Sequence, residues 1–425
     1  MRAAVSPPKA RPDFPSSALV RPWSLLPGAG TGPRTALIGV SGYAQIYLNL
    51  IREVLPLGAL SLTAAVIINA KEESAVVAEL TALGCRIYAD YEAMFAAEKG
   101  SIDLCLIPTG IPWHTPMTIA ALKAGAHVLV EKPLAGSYAD AQAIREAEAA
   151  SGRWVAVGFQ DLYPAQTHWL KRELVGGLIG AVRSVRFLGM WPRGASYYLR
   201  NDWAGRLEAG DRAVQDSPLN NAFGHFVNLI LYFASTAVEE AADVSRVEAS
   251  LLRAHRIETF DTAIVRARTA QGVSLFIATT HISHEVSEPE IMIEGERGTV
   301  RWLHEEAFEV SVRGKPTFRV PMPNAMDARR LMFAAVLRKC AGLDARVCGT
   351  DLACRHAAFI DAIHASAPVQ VVPESKIEWT PLQSDSSLVP CLVGIERVLR
   401  EAFDAAASDS EALTGAGEAF EALLG

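Results

Sequence analysis

Apolar and polar positions follow two different rhythms along this chain. Between residues 36 and 157, short mostly apolar runs (36–38, 62–68, 85–88, 102–107, 127–130 and 154–157) alternate with helical spacing (44–50, 72–83, 91–98, 116–124 and 138–149). Strands apolar on both faces and joined by helices predict a doubly wound parallel sheet. Near residue 180 the rhythm changes to runs at 182–187, 244–252, 262–268, 273–279, 291–294 and 299–303, several of alternating polarity, with Gln271-Gly272 and Arg297-Gly298 as hairpin turns. That pattern predicts a second α/β domain on a largely antiparallel open sheet. Helices are expected at 222–233, 328–340 and 351–365, and Ile395, Val398, Leu399, Ala402 and Phe403 mark one face of a last helix.

These elements divide the chain into a Pro-rich leader (1–33), a doubly wound Rossmann domain (34–158), a second α/β domain (159–380) and a C-terminal helical tail (381–425). Beyond Ala407 an Ala-, Glu- and Gly-rich stretch predicts little order. The 425 residues suffice for two or three cores. A net charge of -7 without any Lys/Arg block argues against nucleic acid as the main partner. No apolar run has membrane-spanning length, so no membrane partner is expected. The six cysteines lack metal-ligand spacing and read as reduced thiols of a cytoplasmic protein. His281 and His284 stand without an acidic or thiol cluster, so no metal site is expected.

Four stretches carry candidate chemistry. Gly39-Val40-Ser41-Gly42-Tyr43-Ala44 follows the first strand and opens a helix, the arrangement that turns backbone N–H groups toward a pyrophosphate. Ser41 occupies the second Gly slot of the usual fingerprint, and Ala44 the third. The fourth strand ends Pro108-Thr109 with His114 beyond it, and the fifth ends Glu131-Lys132-Pro133, both at the carboxyl edge where open α/β sheets bind ligands. Asn221 and His225 lie one helical turn apart. After the second strand, Asn69 with Lys71 puts no acid against a 2′-phosphate and offers a cation, which favours NADP slightly over NAD.

Together these stretches, from about Ala36 to Ala367, resemble the oxidoreductase family named after glucose-fructose oxidoreductase, inositol dehydrogenase and the rhizopine catabolism protein (Gfo/Idh/MocA). The most specific mark is Glu131-Lys132-Pro133. The resemblance implies an NAD(P)-dependent oxidoreductase acting on a sugar, cyclitol or related hydroxylated compound. Lys132 would polarise the reacting oxygen and His225 would move its proton, with Asn221 beside them. Gly39, Ser41, Gly42, Tyr43, Ala44, Asn69, Lys71, Pro108, Thr109, His114, Glu131 and Lys132 would hold the cofactor. Trp191, Tyr198 and Trp203 would join Asn221 and His225 in binding substrate, and the nearby Arg193 and Arg200 would suit an acidic one.

The chain departs from the family where Asn221 and Asn228 replace aspartates around the His, and where Gln160-Asp161 replaces an Arg or Asn. An Asn neither orients an imidazolium as a carboxylate does nor raises its pKa. Two rival readings follow: glycoside cleavage through transient oxidation, or a cofactor-binding structural or regulatory protein whose catalysis has lapsed. An exposed face of the second sheet would make a homo-oligomer interface.

Overall fold

The computed structural model describes residues 22–28, 30, 32–382, 387–406, 420 and 423–424. Most of the expected leader, and most of the stretch beyond 407, lie outside the described residues. The first sheet contains β1 (Arg34–Ile38), β2 (Ser61–Val66), β3 (Arg86–Tyr88), β4 (Leu104–Ile107), β5 (His127–Val130) and β6 (Val155–Val157). All pairings are parallel, in the order β3-β2-β1-β4-β5-β6. The crossovers carry α1 (Ala44–Val54), α2 (Ser74–Ala82), α3 (Tyr91–Ala97), α4 (Ile111–Lys123) and α5 (Tyr138–Ser151). Because helices come from both crossover directions, strands such as β4 are buried at every position.

One boundary differs from the sequence expectation. Helix α4 begins at Ile111, five residues before the expected start at 116. Extended Gly110 caps it, Pro112 sits in the first turn where no N–H is needed, and Pro116 is absorbed in the second turn.

After β6 come α6 (Ala165–Val175), which the sequence pattern did not suggest, β7 (Val182–Met190), α7 (Ala195–Leu199), the small hairpin β8 (Glu208–Ala209) and β9 (Arg212–Ala213), and α8 (Gly224–Ala234). The second sheet continues through β10 (Val244–Arg253), β11 (Thr262–Thr269), β12 (Ser274–Thr280), β13 (Ser287–Gly295), β14 (Gly298–Leu303), β15 (Ala307–Val312) and β16 (Phe318–Pro321). Helices α9 (Ala325–Cys340) and α10 (Thr350–Ser366) precede β17 (Val369–Val371), the hairpin β18 (Ile377–Pro381) and β19 (Leu388–Leu392), and α11 (Ile395–Ala405). The nine strands run β16-β15-β14-β13-β7-β12-β11-β10-β17. Only β7–β12 and β10–β17 are parallel, so the sheet is mostly antiparallel, as the alternating polarity implies.

Alternation gives this sheet two faces. Val185, Phe187, Ile277, Ile291 and Ile293 point inward and share one continuous core with Phe226 of α8 and with Ala36, Leu106 and Val130 of the first sheet. Leu188, Met190, Ile264, Phe276 and Ala278 point outward. They are covered by Ile395, Val398, Leu399 and Phe403 of α11. Arg186 seals this cover, bonding Glu294 at 2.6 Å and the Phe403 carbonyl, with its guanidinium 4.9 Å from the Phe403 ring. Arg400 of α11 reaches Glu290 on β13 at 3.1 Å. The expected exposed sheet face is therefore corrected: the apolar middle of that face is occupied by the chain's own C-terminal segment. The segment is also not wholly helical, since the β18–β19 hairpin crosses the expected boundary at 380/381.

At the other end, Pro22–Leu25 forms a short 3-10 turn across the two halves. Trp23 donates from its indole to Glu53 of α1 at 2.9 Å and packs edge-on against Phe333 of α9, while Arg330 of α9 pairs with the same Glu53 at 2.8 Å.

Candidate active site

The loop after β1 needs residues free to take positive φ: Gly39 has φ +92° and Gly42 φ +58°. Helix α1 then starts at Ala44 with no side-chain cap on its N-terminus. Uncapped N–H groups at a glycine turn fit a dinucleotide pyrophosphate. Ser41, in the departing position, is held in place: its hydroxyl donates to Glu73 Oε1 at 2.7 Å and accepts from Asn69 Nδ2 at 3.1 Å. Sequence reading missed Glu73, which brings a carboxylate to the loop beside Asn69 and the exposed Lys71. Tyr43 accepts a 3.2 Å hydrogen bond from Arg329 Nε of α9.

At the ends of β4 and β5 the chain packs tightly. A Cβ on Gly110 would meet Trp203 Nε1 at 2.6 Å, and one on Gly158 would meet the Glu131 carboxylate at 2.7 Å. Pro108 is buried and Thr109 half-buried at this edge. Glu131 is itself buried, accepting from Tyr47 at 2.8 Å and from the Lys132 backbone N–H at 3.0 Å, and burial pushes its pKa up. His114 is a correction to the expected cofactor set. It is fully buried, with Nδ1 2.6 Å from the Pro133 carbonyl and Nε2 3.0 Å from the Thr109 carbonyl. Burial lowers its pKa to about 4, so the neutral ring donates to one of these two carbonyls, and both nitrogens face the strand ends rather than the cleft.

Lys132 and the helix-α8 segment meet across the chain. Lys132 Nζ donates to the Asn221 carbonyl at 2.8 Å and to Asn221 Oδ1 at 3.0 Å. Asn221 Nδ2 donates in turn to Asp216 Oδ1 at 2.7 Å, whose other oxygen accepts from Gly205 N at 2.7 Å and pairs with Arg200 at 3.6 Å. Burial lowers the Lys132 pKa to about 8, against the opposing pull of Glu131 and Asp216.

His225 is held among Phe159, Phe226 and Asp161, and burial, with Lys132 and Arg329 next, drives its pKa well below 6.5. Its Nδ1 lies 3.4 Å from Asp161 Oδ2 without making a hydrogen bond, a separation suited to an ion pair once the ring is protonated. Burial raises Asp161 to about 6. The carboxylate absent from positions 221 and 228 thus arrives from the turn after β6. Asn228 is buried and does not line the cleft.

Lys132, Asp161, His225 and Phe226 line a cleft of about 580 Å³ together with Trp191, Arg193, Tyr197, Glu288, His304, Glu305, Tyr43 and Arg329, while Asn221 stands behind Lys132 outside its lining. Of the aromatic residues expected to bind substrate, Trp191 is there. Tyr198 is not: it is buried, its hydroxyl 2.9 Å from His281 Nδ1, and Tyr197 takes the cleft position. Trp203 packs on Gly110 rather than lining this cleft. Among the described residues no His, Cys, Asp and Glu group is placed to hold a metal, and no helix is long and apolar enough to cross a membrane.

A parallel six-stranded sheet with an uncapped glycine turn, facing Lys132 and His225 in a shared cleft, defines a dinucleotide-binding Rossmann architecture. Residues 34–159 match the model of the Gfo/Idh/MocA oxidoreductase family, NAD-binding Rossmann fold. The inositol 2-dehydrogenase of Rubrobacter xylanophilus is 29% identical over 219 residues, 51% of this chain and 57% of that protein. The chain therefore matches little more than half the length of that curated relative. An inositol dehydrogenase homolog from Azotobacter vinelandii, solved with NAD+, superposes with a TM-score of 0.69 at 17% identity, covering 81% of this chain and 97% of that one. The WlbA dehydrogenase of Bordetella pertussis, solved with NADH and UDP-GlcNAcA, gives 0.63 at 23% identity, covering 79% and 96%. At these identities the two structures establish the fold alone.

Proposed function

We propose that the chain is an NAD-dependent oxidoreductase acting at a carbinol or carbonyl carbon of a sugar, cyclitol or related hydroxylated compound. The observation that carries this reading is the convergence of Lys132 and His225 on one cleft at the carboxyl edge of a nucleotide-binding sheet. NAD, when bound, supplies the hydride acceptor or donor.

Lys132 has three N–H donors, two of them directed to Asn221, which leaves one for the substrate oxygen. Its ammonium stabilises negative charge growing on that oxygen. His225 is neutral at pH 7. In the tautomer with the proton on Nδ1, facing Asp161, its Nε2 accepts the substrate hydroxyl proton, and Asp161 stabilises the imidazolium formed. A carboxylate at this distance removes the main motive for reading the catalysis as lapsed.

Asn69 and Lys71 argued for NADP. Glu73, bonded to the same Ser41 hydroxyl as Asn69, sets a negative charge there that opposes a 2′-phosphate. We therefore favour NAD. Fluorescence titration tests both points. NADH should bind more tightly than NADPH, and Lys132→Ala should keep NADH binding while lowering turnover by about 10³-fold or more. Wild-type turnover in that variant overturns the assignment.

A further inference from the structure

We propose that the substrate carries an oxyanion, a carboxylate or a phosphate, and that Arg193 reads it. The inference rests on the oxidoreductase reading and names the substrate class for the same cleft. It starts from how the charged groups lining the cleft are engaged. Lys132 is held by both oxygens of Asn221. Arg329 is held by the Tyr43 hydroxyl. Asp161 faces His225 at 3.4 Å, Glu305 faces His304 at 3.2 Å, and Glu288 accepts from the Trp191 indole at 3.1 Å.

Arg329, like Arg193, has no carboxylate partner among the described residues, but its Nε is answered by Tyr43, whereas that of Arg193 is buried without a partner. The polar contacts of Arg193 are a long one, 3.4 Å, to the Pro192 carbonyl and the Tyr197 hydroxyl. Arg200, the other arginine of this segment, is not equivalent: it lies 3.6 Å from Asp216 and its charge is already answered. A half-buried guanidinium with unused donors carries a cost that a bidentate oxyanion removes.

The surroundings hold Arg193 ready for that role. Its guanidinium lies 5.5 Å from the Trp191 ring and 5.1 Å from the Tyr197 ring, both lining the cleft. Cation–π contact on these faces restrains the group without using its N–H donors. Below it, His255 Nε2 bonds the Arg193 backbone carbonyl at 2.9 Å while Nδ1 bonds Asp261 at 2.8 Å. The backbone anchor is independent of the side chain, so substitution at 193 tests the guanidinium alone.

The experiment measures kcat/KM for hydride transfer, and the quenching of bound NADH, with D-glucuronate, D-galacturonate and D-glucose 6-phosphate beside D-glucose and D-galactose. At least one anionic sugar should exceed its neutral partner by about tenfold or more, the effect of one good charged hydrogen-bond pair. Arg193→Met should collapse that ratio toward one, and Arg193→Lys should restore part of it, while NADH affinity and melting temperature stay at wild-type values. The uronate and phosphate arms separate the two oxyanions. Neutral sugars handled as well as every anionic one, or a ratio unchanged in Arg193→Met, overturns the proposal while leaving the oxidoreductase reading intact. Failure of the wild type to bind NADH would instead strike that underlying reading.

Discussion

The two sheets of this protein solve the same problem, covering their apolar faces, in opposite ways. In the six-stranded sheet each pair of consecutive strands is joined by a helical crossover, so cover for both faces is built into the connectivity. The nine-stranded sheet, mostly antiparallel, receives α8 on its inner face, and the middle of its outer face depends on a segment from the far end of the chain. The difference extends to the site. The first sheet offers strand ends and a glycine turn, nearly all from local sequence, whereas the second contributes side chains brought together only by tertiary packing.

Three experiments break or sharpen this comparison, beyond those already described. The largest effect should come from Leu399→Asp, which places a carboxylate under the outer face of the second sheet, where Leu399 is fully buried. It should cost about 3–5 kcal/mol in urea unfolding and expose Leu188 and Phe276 to self-association, read by sedimentation. A wild-type midpoint would mean that the cover is dispensable.

Next is Asp161→Asn, which tests whether the second half of the site depends on distant residues. Asp161, raised to about 6, must lose its proton to support a protonated His225, and Lys132, lowered to about 8, must keep its own. In the oxidation direction kcat/KM should therefore rise through about pH 6 and fall above about pH 8. The Asp161→Asn variant should lower kcat/KM by about 10–100-fold and move the acid limb down to where His225 itself protonates, with the alkaline limb retained. An unaltered acid limb would remove Asp161 from the mechanism.

The smallest effect belongs to the first sheet. Glu73→Gln should narrow the preference for NADH over NADPH by about tenfold or less, since one charge at hydrogen-bond range of the loop is removed. An unchanged ratio would return the choice to Asn69 and Lys71.

What the sequence revealed follows the same division. The strands from β1 to β6, the glycine turn and Lys132 are legible because their signals are runs of adjacent residues. Asp161 and His225 meet through the packing of α8 against the turn after β6, and no spacing announces that contact. Tyr198 and Tyr197 are neighbours with similar side chains, so sequence reading could not tell that one turns to His281 and the other to the cleft. Pro116 looks like a helix start and predicts a shorter α4, while in the folded chain Gly110 supplies the cap. The outer cover was half visible: the apolar stripe of α11 was plain, but its target was a sheet face expected to meet another subunit.

The turn at Pro22–Leu25 has a thermodynamic consequence. Through Trp23 and Glu53 it joins the helix that follows the glycine turn to the helix that carries Arg329, and beneath it one continuous core contains residues of both sheets. Folding units are defined by shared core rather than by strand order, so the two halves should melt as one cooperative transition in calorimetry. Free energy from a nucleotide bound at the first sheet is then distributed to the second, and saturating NADH should raise a single melting temperature for the whole chain.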